Sequence, residues 1–333
     1  MTNSNKKSGL LLVAAFASIY IIWGSTFLAV SYGLQSFPPF LLSGLRFLIA
    51  GIILFIWQKS KGEKVSNLQN WKRNGITGIL ILIGGTGLVA WGEQYISSTE
   101  AAIAIATGPF WFIALDRKNW SNYFSDKTIV TGLIIGFSGL LVFLKGSVSG
   151  ATISTDGLSR IIAFIVLAIS SISWVLGSLY SKNNPGSQSR LMNISQQLLI
   201  AGIVSTLFSG AKGEWYQFSF SDVNLYAWLG LGFLIFFGSI VAYISYIWLL
   251  TVKEPVLVST HTYINPIVAV LVGWIIAGEK ISSLQFLGLI VILSGVVLTN
   301  LSNIKIHKRT KVKIRKWNQT FIRISNPYKH ITQ

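Results

Sequence analysis

The chain has 333 residues, of which 52% are hydrophobic and 11% charged, with 27 Lys and Arg against 10 Asp and Glu for a net charge of +17. A charged share so far below the roughly 25% of soluble domains excludes an ordinary soluble fold. Cysteine is absent, so disulfides, a thiolate nucleophile and cysteine metal sites are excluded as well, and the redox compartment cannot be read from cysteine usage.

Ten apolar stretches fill nearly all of the first 300 residues: Leu10 to Ser31, Phe40 to Trp57, Gly75 to Trp91, Ala101 to Leu115, Ile129 to Leu144, Leu158 to Tyr180, Leu191 to Ser209, Leu225 to Leu250, Val256 to Ala277 and Leu284 to Leu301. Lipid offers no partner to a backbone N–H or C=O, so a spanning segment must be a helix of roughly 20 residues or a strand of a closed barrel. These runs are too long and too unalternating for barrel strands. The expectation is an all-α integral membrane protein with ten transmembrane helices. Lys6 and Lys7 precede the first run as in a signal peptide, but the run exceeds a typical h-region and lacks a small-residue cleavage site. It is read as a mature helix. The polar stretch Asp116 to Lys127 carries Trp120, Tyr123 and Phe124, which suits an aromatic belt at the membrane interface.

The basic residues sort by side. With the N-terminus inside, 22 of the 27 fall on inner segments, four (Lys145, Arg160, Lys212 and Lys280) fall outside, and Arg46 lies within a span. The positive-inside rule then puts both termini in the cytoplasm of a cell whose plasma membrane holds the protein. The tail, residues 302–333, is strongly basic and reads as an anchor on anionic lipid headgroups, at about 1 kcal/mol per basic residue near the surface. Nucleic acid is not expected as a partner.

Internal repetition organises the chain. Gly132-Leu133-Ile134-Ile135-Gly136-Phe137-Ser138-Gly139 recurs as Gly288-Leu289-Ile290-Val291-Ile292-Leu293-Ser294-Gly295, five of eight positions matching at an offset of 156. Pro109 and Pro266 repeat at an offset of 157, and Trp23-Gly24-Ser25 is echoed loosely by Trp174, Gly177 and Ser178. Residues 1–145 and 157–301 therefore read as two five-helix repeats joined by a loop at 146–156. Five is odd, so the second half enters the membrane from the opposite face and the repeats are inverted, an arrangement that can rock about a central site.

Several of these residues carry a resemblance. Trp23-Gly24-Ser25-Thr26-Phe27, Pro39 followed by Leu45-Arg46-Phe47, Glu93-Gln94-Tyr95-Ile96-Ser97-Ser98, Ala101 to Pro109, and Tyr263-Ile264-Asn265-Pro266 ending in Gly278-Glu279-Lys280 resemble the EamA family of the drug/metabolite transporter superfamily. The resemblance implies a ten-helix inverted-repeat carrier that exports amino acids, other metabolites or toxic compounds across a bacterial inner membrane. The pattern departs at Pro109, followed by Phe110-Trp111-Phe112 and Asp116 rather than a Gly-Glu pair, and in the basic tail beyond the family core.

Positions three, four and seven apart share a helix face. Tyr20, Trp23 and Phe27 align in the first span; Gly84, Gly87 and Trp91 in the third; Ser170, Trp174, Gly177 and Ser181 in the sixth; Ser239, Tyr243 and Tyr246 in the eighth; His261 and Asn265, beside Thr262, in the ninth. Lipid-facing positions need none of these hydroxyls and rings, so the stripes point toward protein or water. The candidate substrate-binding residues are Trp23, Ser25, Arg46, Trp91, Trp174, Tyr243, Tyr246, His261 and Asn265. Rings with N–H and O–H handles suit an amphipathic small molecule.

Bland readings stand beside these. Trp57, Trp91 and Trp248 near span ends also fit interfacial anchors, and Gly132, Gly136 and Gly139 fit helix packing. Arg46 needs a partner or a wet cavity; Glu93, Glu279 and a substrate carboxylate are the candidates, with snorkelling as the alternative. His261 reads as a hydrogen-bonded packing residue or a proton relay. Glu93 and Glu100 fit solvated positions at the outer mouth, and Leu289 has the character of a lipid-facing residue. No hydrolase, metalloprotease or phosphate-loop motif occurs, and no metal or cofactor is implied. The expected function is a secondary transporter, an exporter of small amphipathic metabolites acting as a monomer or homodimer, with a membrane-embedded enzyme acting on lipid or a small metabolite as the alternative.

The lysine asymmetry has a direct test. A reporter fused after Gln333 that works only in the cytoplasm should be active, and one that works only in the periplasm should be silent.

Overall fold

The computed structural model describes residues 3–64, 67–115, 117, 120–149, 157–253, 258–259, 261–295 and 297–298. Among them there is no strand. The apolar helices are α1 (Gly9–Gly33), α2 (Pro39–Ser60), α3 (Leu68–Gly92), α4 (Ser98–Leu115), α5 (Lys127–Ser149), α6 (Gly157–Asn183), α7 (Arg190–Ala211), α8 (Leu225–Val252), α9 (His261–Ala277) and α10 (Ser283–Gly295). Seven of these, α1–α4 and α6–α8, are long and apolar enough to cross a membrane; in α5, α9 and α10 the apolar stretch over the described residues is shorter, Lys127–Phe143, Ile264–Ala277 and Ser283–Gly295. The basic tail lies outside the described residues, as does most of the 146–156 loop.

Helix starts follow from local chemistry. The first N–H groups of a helix have no intrahelical acceptor, and short polar side chains supply one. Asn67 caps α3 through Asn70 N at 3.0 Å, Ser189 caps α7, and Asn224 caps α8 through Ala227 N at 2.8 Å. Ser97 and Glu100 form a reciprocal capping box on α4. At α2 the first turn begins with Pro39, and the Glu214 carboxylate, from the far side of the sequence, accepts from Leu41 N at 3.0 Å and from Ser209 Oγ at 2.7 Å. Negative charge there also complements the positive end of the helix dipole.

Small residues set the helix contacts. The most extensive packing in the molecule joins α2 to α7. A Cβ built at Gly44 would strike Thr206, one at Gly51 would strike Leu199, and one at Gly202 would strike the Leu48 backbone. Association in lipid lacks a hydrophobic drive, so close backbone approach through glycine is the main source of contact. α5 and α10 meet in the same way: Gly288 lies against the backbone of Phe143, and Gly295 against Gly132 and Gly136. The repeated glycine motif is thus a packing surface.

Three sequence readings change. Helix α3 begins at Leu68 rather than Gly75, because Asn70 and Asn74, which look too polar for a buried helix, are buried against Asn193 and Gln196 of α7. Glu93 and Glu100 are not solvated; they are 7% and 5% exposed. Glu100 pairs with buried Arg160 at 2.6 Å and accepts from Gln285 Nε2 at 3.0 Å, tying α4 to α6 and α10. Leu289 is not lipid-facing; it packs with Ile103, Phe143 and Ile292, and its neighbour Ile290 is the exposed one.

Replacing Gly202 by Val should separate α2 from α7 and cost about 1–3 kcal/mol of stability. The thermal unfolding midpoint in detergent should fall, whereas Ile290→Val, on an exposed face, should leave it unchanged.

Candidate functional site

A cavity with an empty volume of about 920 Å3, counting its open mouth, lies among α1, α2, α3, α4, α6, α8 and α9. Helices α1, α3 and α8 each contain a π-helical stretch, at Ser18–Ile22, Ile79–Gly87 and Leu234–Ala242. Widened turns of this kind leave carbonyls without their usual intrahelical partner and recur at functional sites. Here they serve as acceptors: Trp23 Nε1 donates to Gly238 O at 3.3 Å and Ser170 Oγ to Gly85 O at the cavity, and Ser173 Oγ donates to Leu80 O at 2.8 Å outside its lining.

One wall is aromatic. Trp23 meets Trp174 edge-on at 5.2 Å between centroids, and Tyr246 and His261 at 5.0 and 5.2 Å. The alternation of edges and faces matches the preference of ring quadrupoles. Gly24 and Gly85 allow this wall to form: a Cβ on Gly24 would overlap Val268 of α9, and one on Gly85 would overlap the Trp174 ring. The polar handles of the wall are held. Trp174 Nε1 donates to Tyr246 Oη at 3.0 Å, Ser178 Oγ sits 2.8 Å from the same oxygen, and His261 Nδ1 lies 2.8 Å from Val258 O.

A hydrogen-bonded chain leads away from the cavity. Tyr243 Oη donates to Gln197 Oε1 at 2.7 Å, and Gln197 Nε2 donates to Asn74 Oδ1 at 3.2 Å. Asn74 and Asn70 each donate to both Asn193 and Gln196, and Ser187 N donates to Asn70 Oδ1 at 2.9 Å. These amides satisfy one another in a region where an unpaired group is costly. They also connect a cavity residue to the turn before α7.

The cavity lining also includes two ionisable side chains. Arg46 of α2 and Glu93 at the end of α3 both line the cavity, and both are buried. The Arg46 guanidinium lies 4.3 Å over the Phe47 ring. Among the described residues, neither oxygen of Glu93 has a hydrogen-bond partner, nor does Arg46 Nε. Glu279, a sequence candidate for pairing with Arg46, is committed elsewhere: it accepts from Ser98 Oγ and from Thr99 N.

Of the sequence candidates, Trp23, Arg46, Trp174, Tyr243, His261 and Asn265 line the cavity. With its amide nitrogen turned toward the carbonyls, Asn265 lies 2.9 Å from His261 O and 3.1 Å from Tyr20 O and Ile19 O, so it also fastens α9 to the π-helical turn of α1. Tyr246 stands behind the aromatic wall and not on the cavity surface. Ser25 turns back to Ile21 O of its own helix, and Trp91 meets Tyr95 at a 52° tilt, 5.0 Å between centroids, and does not line the cavity. Glu93, Ser170, Ser171, Thr86 and Thr262 line the cavity without having been candidates. The i to i+4 spacing of Ser170 and Trp174 marked the serine; Glu93 had no such signal, because its burial comes from neighbours distant in sequence.

The model of the EamA-like transporter family matches residues 7–145 and again 161–301. The protein named "Uncharacterized inner membrane transporter YedA" in Escherichia coli K12 is 34% identical over 295 residues, covering 87% of this chain and 90% of that protein. A protein of the same strain named "Probable amino-acid metabolite efflux pump" is 22% identical, covering 92% and 99%. A solved crystal structure superposes with a TM-score of 0.61 at 18% identity, over 88% of this chain and 97% of that one, which shows a shared fold. With the family model matched twice along nearly its whole length, this multi-pass membrane chain belongs to the EamA-like transporter family.

Proposed function

We propose that the protein is a secondary transporter that exports small amphipathic metabolites across the plasma membrane by alternating access, with both termini cytoplasmic, and that it is not an enzyme. The observation that carries this reading is a cavity lined by the rings of Trp23 and Trp174 and by Arg46 and Glu93, at the convergence of helices from both halves of the chain. An apolar body with polar ends fits such walls. Trp23, Arg46, Trp174, Tyr243, His261 and Asn265 are the contact residues we assign, joined by Glu93; Tyr246 supports the wall from behind.

The two-repeat architecture with ten spanning helices is supported by more than the glycine motif. The π-helical stretches Ile79–Gly87 of α3 and Leu234–Ala242 of α8 are nine residues each and 155 apart, close to the sequence offsets. Two of the tight glycine-mediated pairs, α2 with α7 and α5 with α10, join corresponding members of the two halves. Exchange between two such arrangements exposes a central site to either side in turn. The names of relatives as a transporter and an efflux pump favour transport and the outward direction.

Purified protein in liposomes tests this. Solute flux should saturate and return the solute chemically unchanged; non-saturating flux would indicate a channel, and altered solute an enzyme. Trp23→Ala, Trp174→Ala and His261→Ala should each weaken apparent affinity roughly 5- to 150-fold, the loss of about 1–3 kcal/mol of stacking or hydrogen bonding, while Ile290→Ala should not. Because the chain has no cysteine, single cysteines at Gln94 and Lys182 can be labelled cleanly. Their accessibilities should change in opposite directions when substrate is added.

A further inference from the structure

The segment between α7 and α8 is firmly built, yet it turns aromatic rings outward. Gly213, at a φ of 77° that glycine adopts freely, ends α7 and turns the chain. Two short 3-10 turns follow, Glu214–Gln217 and Phe220–Asp222. Glu214 holds the first turn of α2, Asn224 N donates to Ser36 Oγ at 3.2 Å, and Asn224 Nδ2 donates to Gln35 Oε1 at 3.2 Å. Phe37 stacks on Phe218 at 5.3 Å and meets Trp228 edge-on at 5.3 Å, and Phe218 meets Phe220 at 4.7 Å. These contacts fix the backbone, so the rings that remain outside form a built surface. Tyr216 is 93% exposed, and Trp215, Phe220, Tyr226 and Trp228 are exposed as well.

What covers these rings follows from their neighbours. The adjoining helix ends expose Ile203, Leu207 and Phe208 on α7 and Leu225 and Leu229 on α8, and on helices that cross a membrane such faces meet lipid. The rings continue that surface past the helix ends. Charge is sparse there: from Lys212 to Trp228 the charged side chains are Lys212, Glu214 and Asp222, and Glu214 is committed to α2. Trp and Tyr, each an apolar ring with one polar handle, are the side chains favoured at the headgroup level of a bilayer. In water the same patch would hydrate a large apolar area. The polar side chains of the segment are gathered apart from the rings, with Ser219 Oγ 2.7 Å from Ser221 Oγ, which donates to Asp222 Oδ1 at 3.0 Å.

We infer that the α7–α8 segment is an elbow seated in lipid, with Trp215, Tyr216 and Phe220 in the headgroup region of the bilayer and Ser219, Ser221 and Asp222 in water. The partner is the boundary between headgroups and acyl chains, engaged by rings rather than by charge. Seated in this way, the elbow sets the depth at which Glu214 meets the start of α2, the helix that carries Arg46 to the cavity. The inference depends on membrane embedding and not on which solute is moved or in which direction.

The test places one cysteine in the cysteine-free full-length chain, Tyr216→Cys or, as the control on the polar side, Ser221→Cys. Each carries an environment-sensitive NBD fluorophore, and the protein is held as one copy per lipid nanodisc. The Y216C label should emit to the blue of the S221C label, lose intensity to lipids that carry a nitroxide at the headgroup or upper acyl chain, and be spared by iodide in the water. The S221C label should show the reverse. Raising the salt concentration should alter neither pattern, because charge takes no part. Tyr216 is almost fully exposed, so its replacement leaves the fold intact, and Trp215→Cys supplies a second site with the same expectation. Iodide quenching of Y216C and W215C as strong as that of S221C would overturn the proposal, since the rings would then stand in water. Protection that appears only with two copies per nanodisc would also overturn it, assigning the patch to a second copy of the chain.

Discussion

Every polar group carried into the lipid-embedded interior must find its partner within the protein, and this constraint organises the rest of the structure. At helix starts it is met by Asn67, Ser97, Ser189 and Asn224, each lending a side-chain oxygen to a backbone N–H. Between helices it is met by the amide ladder from Asn70 to Gln197 and by the Arg160–Glu100–Gln285 cluster. Where backbone hydrogen bonding is interrupted, in the π-helical stretches of α1, α3 and α8, serine, tryptophan and asparagine side chains take up the exposed carbonyls. Among the described residues the exceptions include Arg46 Nε, both Glu93 oxygens and Ser171 Oγ, all on cavity-lining residues, together with single atoms of Ser43, Gln58, Thr99, Trp111 and Thr206.

The same bonds that satisfy polar groups place the cavity. Tyr243 serves both purposes, with its ring on the cavity surface and its hydroxyl committed to Gln197. A rotation of α8 that moved the ring would break that bond and disturb the amides beyond it, as far as the turn at Ser187. Asn265 plays a comparable part on the other side, facing the cavity while bonding α9 to the irregular turn of α1. Close glycine contacts hold α2 to α7 and α5 to α10, and also α3 to α7 through Gly78 and α8 to α1 through Gly230.

The sequence by itself determined that the chain is helical, membrane-embedded and repeated, because hydropathy, lysine placement and recurrent glycines are local or periodic properties. It placed the aromatic wall through Trp23, Trp174 and Tyr246, since a helical stripe of rings and hydroxyls has no use in lipid. Tertiary structure decided the rest. Trp91 shares a helical face with Gly84 and Gly87, yet its ring turns to Tyr95. Ser25 neighbours Trp23 in sequence but bonds within its own helix. Glu93 and Glu100 sit near span ends, where hydropathy cannot separate a solvated carboxylate from a buried one; contacts with segments distant in the chain bury both, pair one and leave the other facing the cavity. Helical periodicity tells which side of one helix is polar. Which neighbour that side meets depends on how helices far apart in the chain pack, and no single segment carries that information.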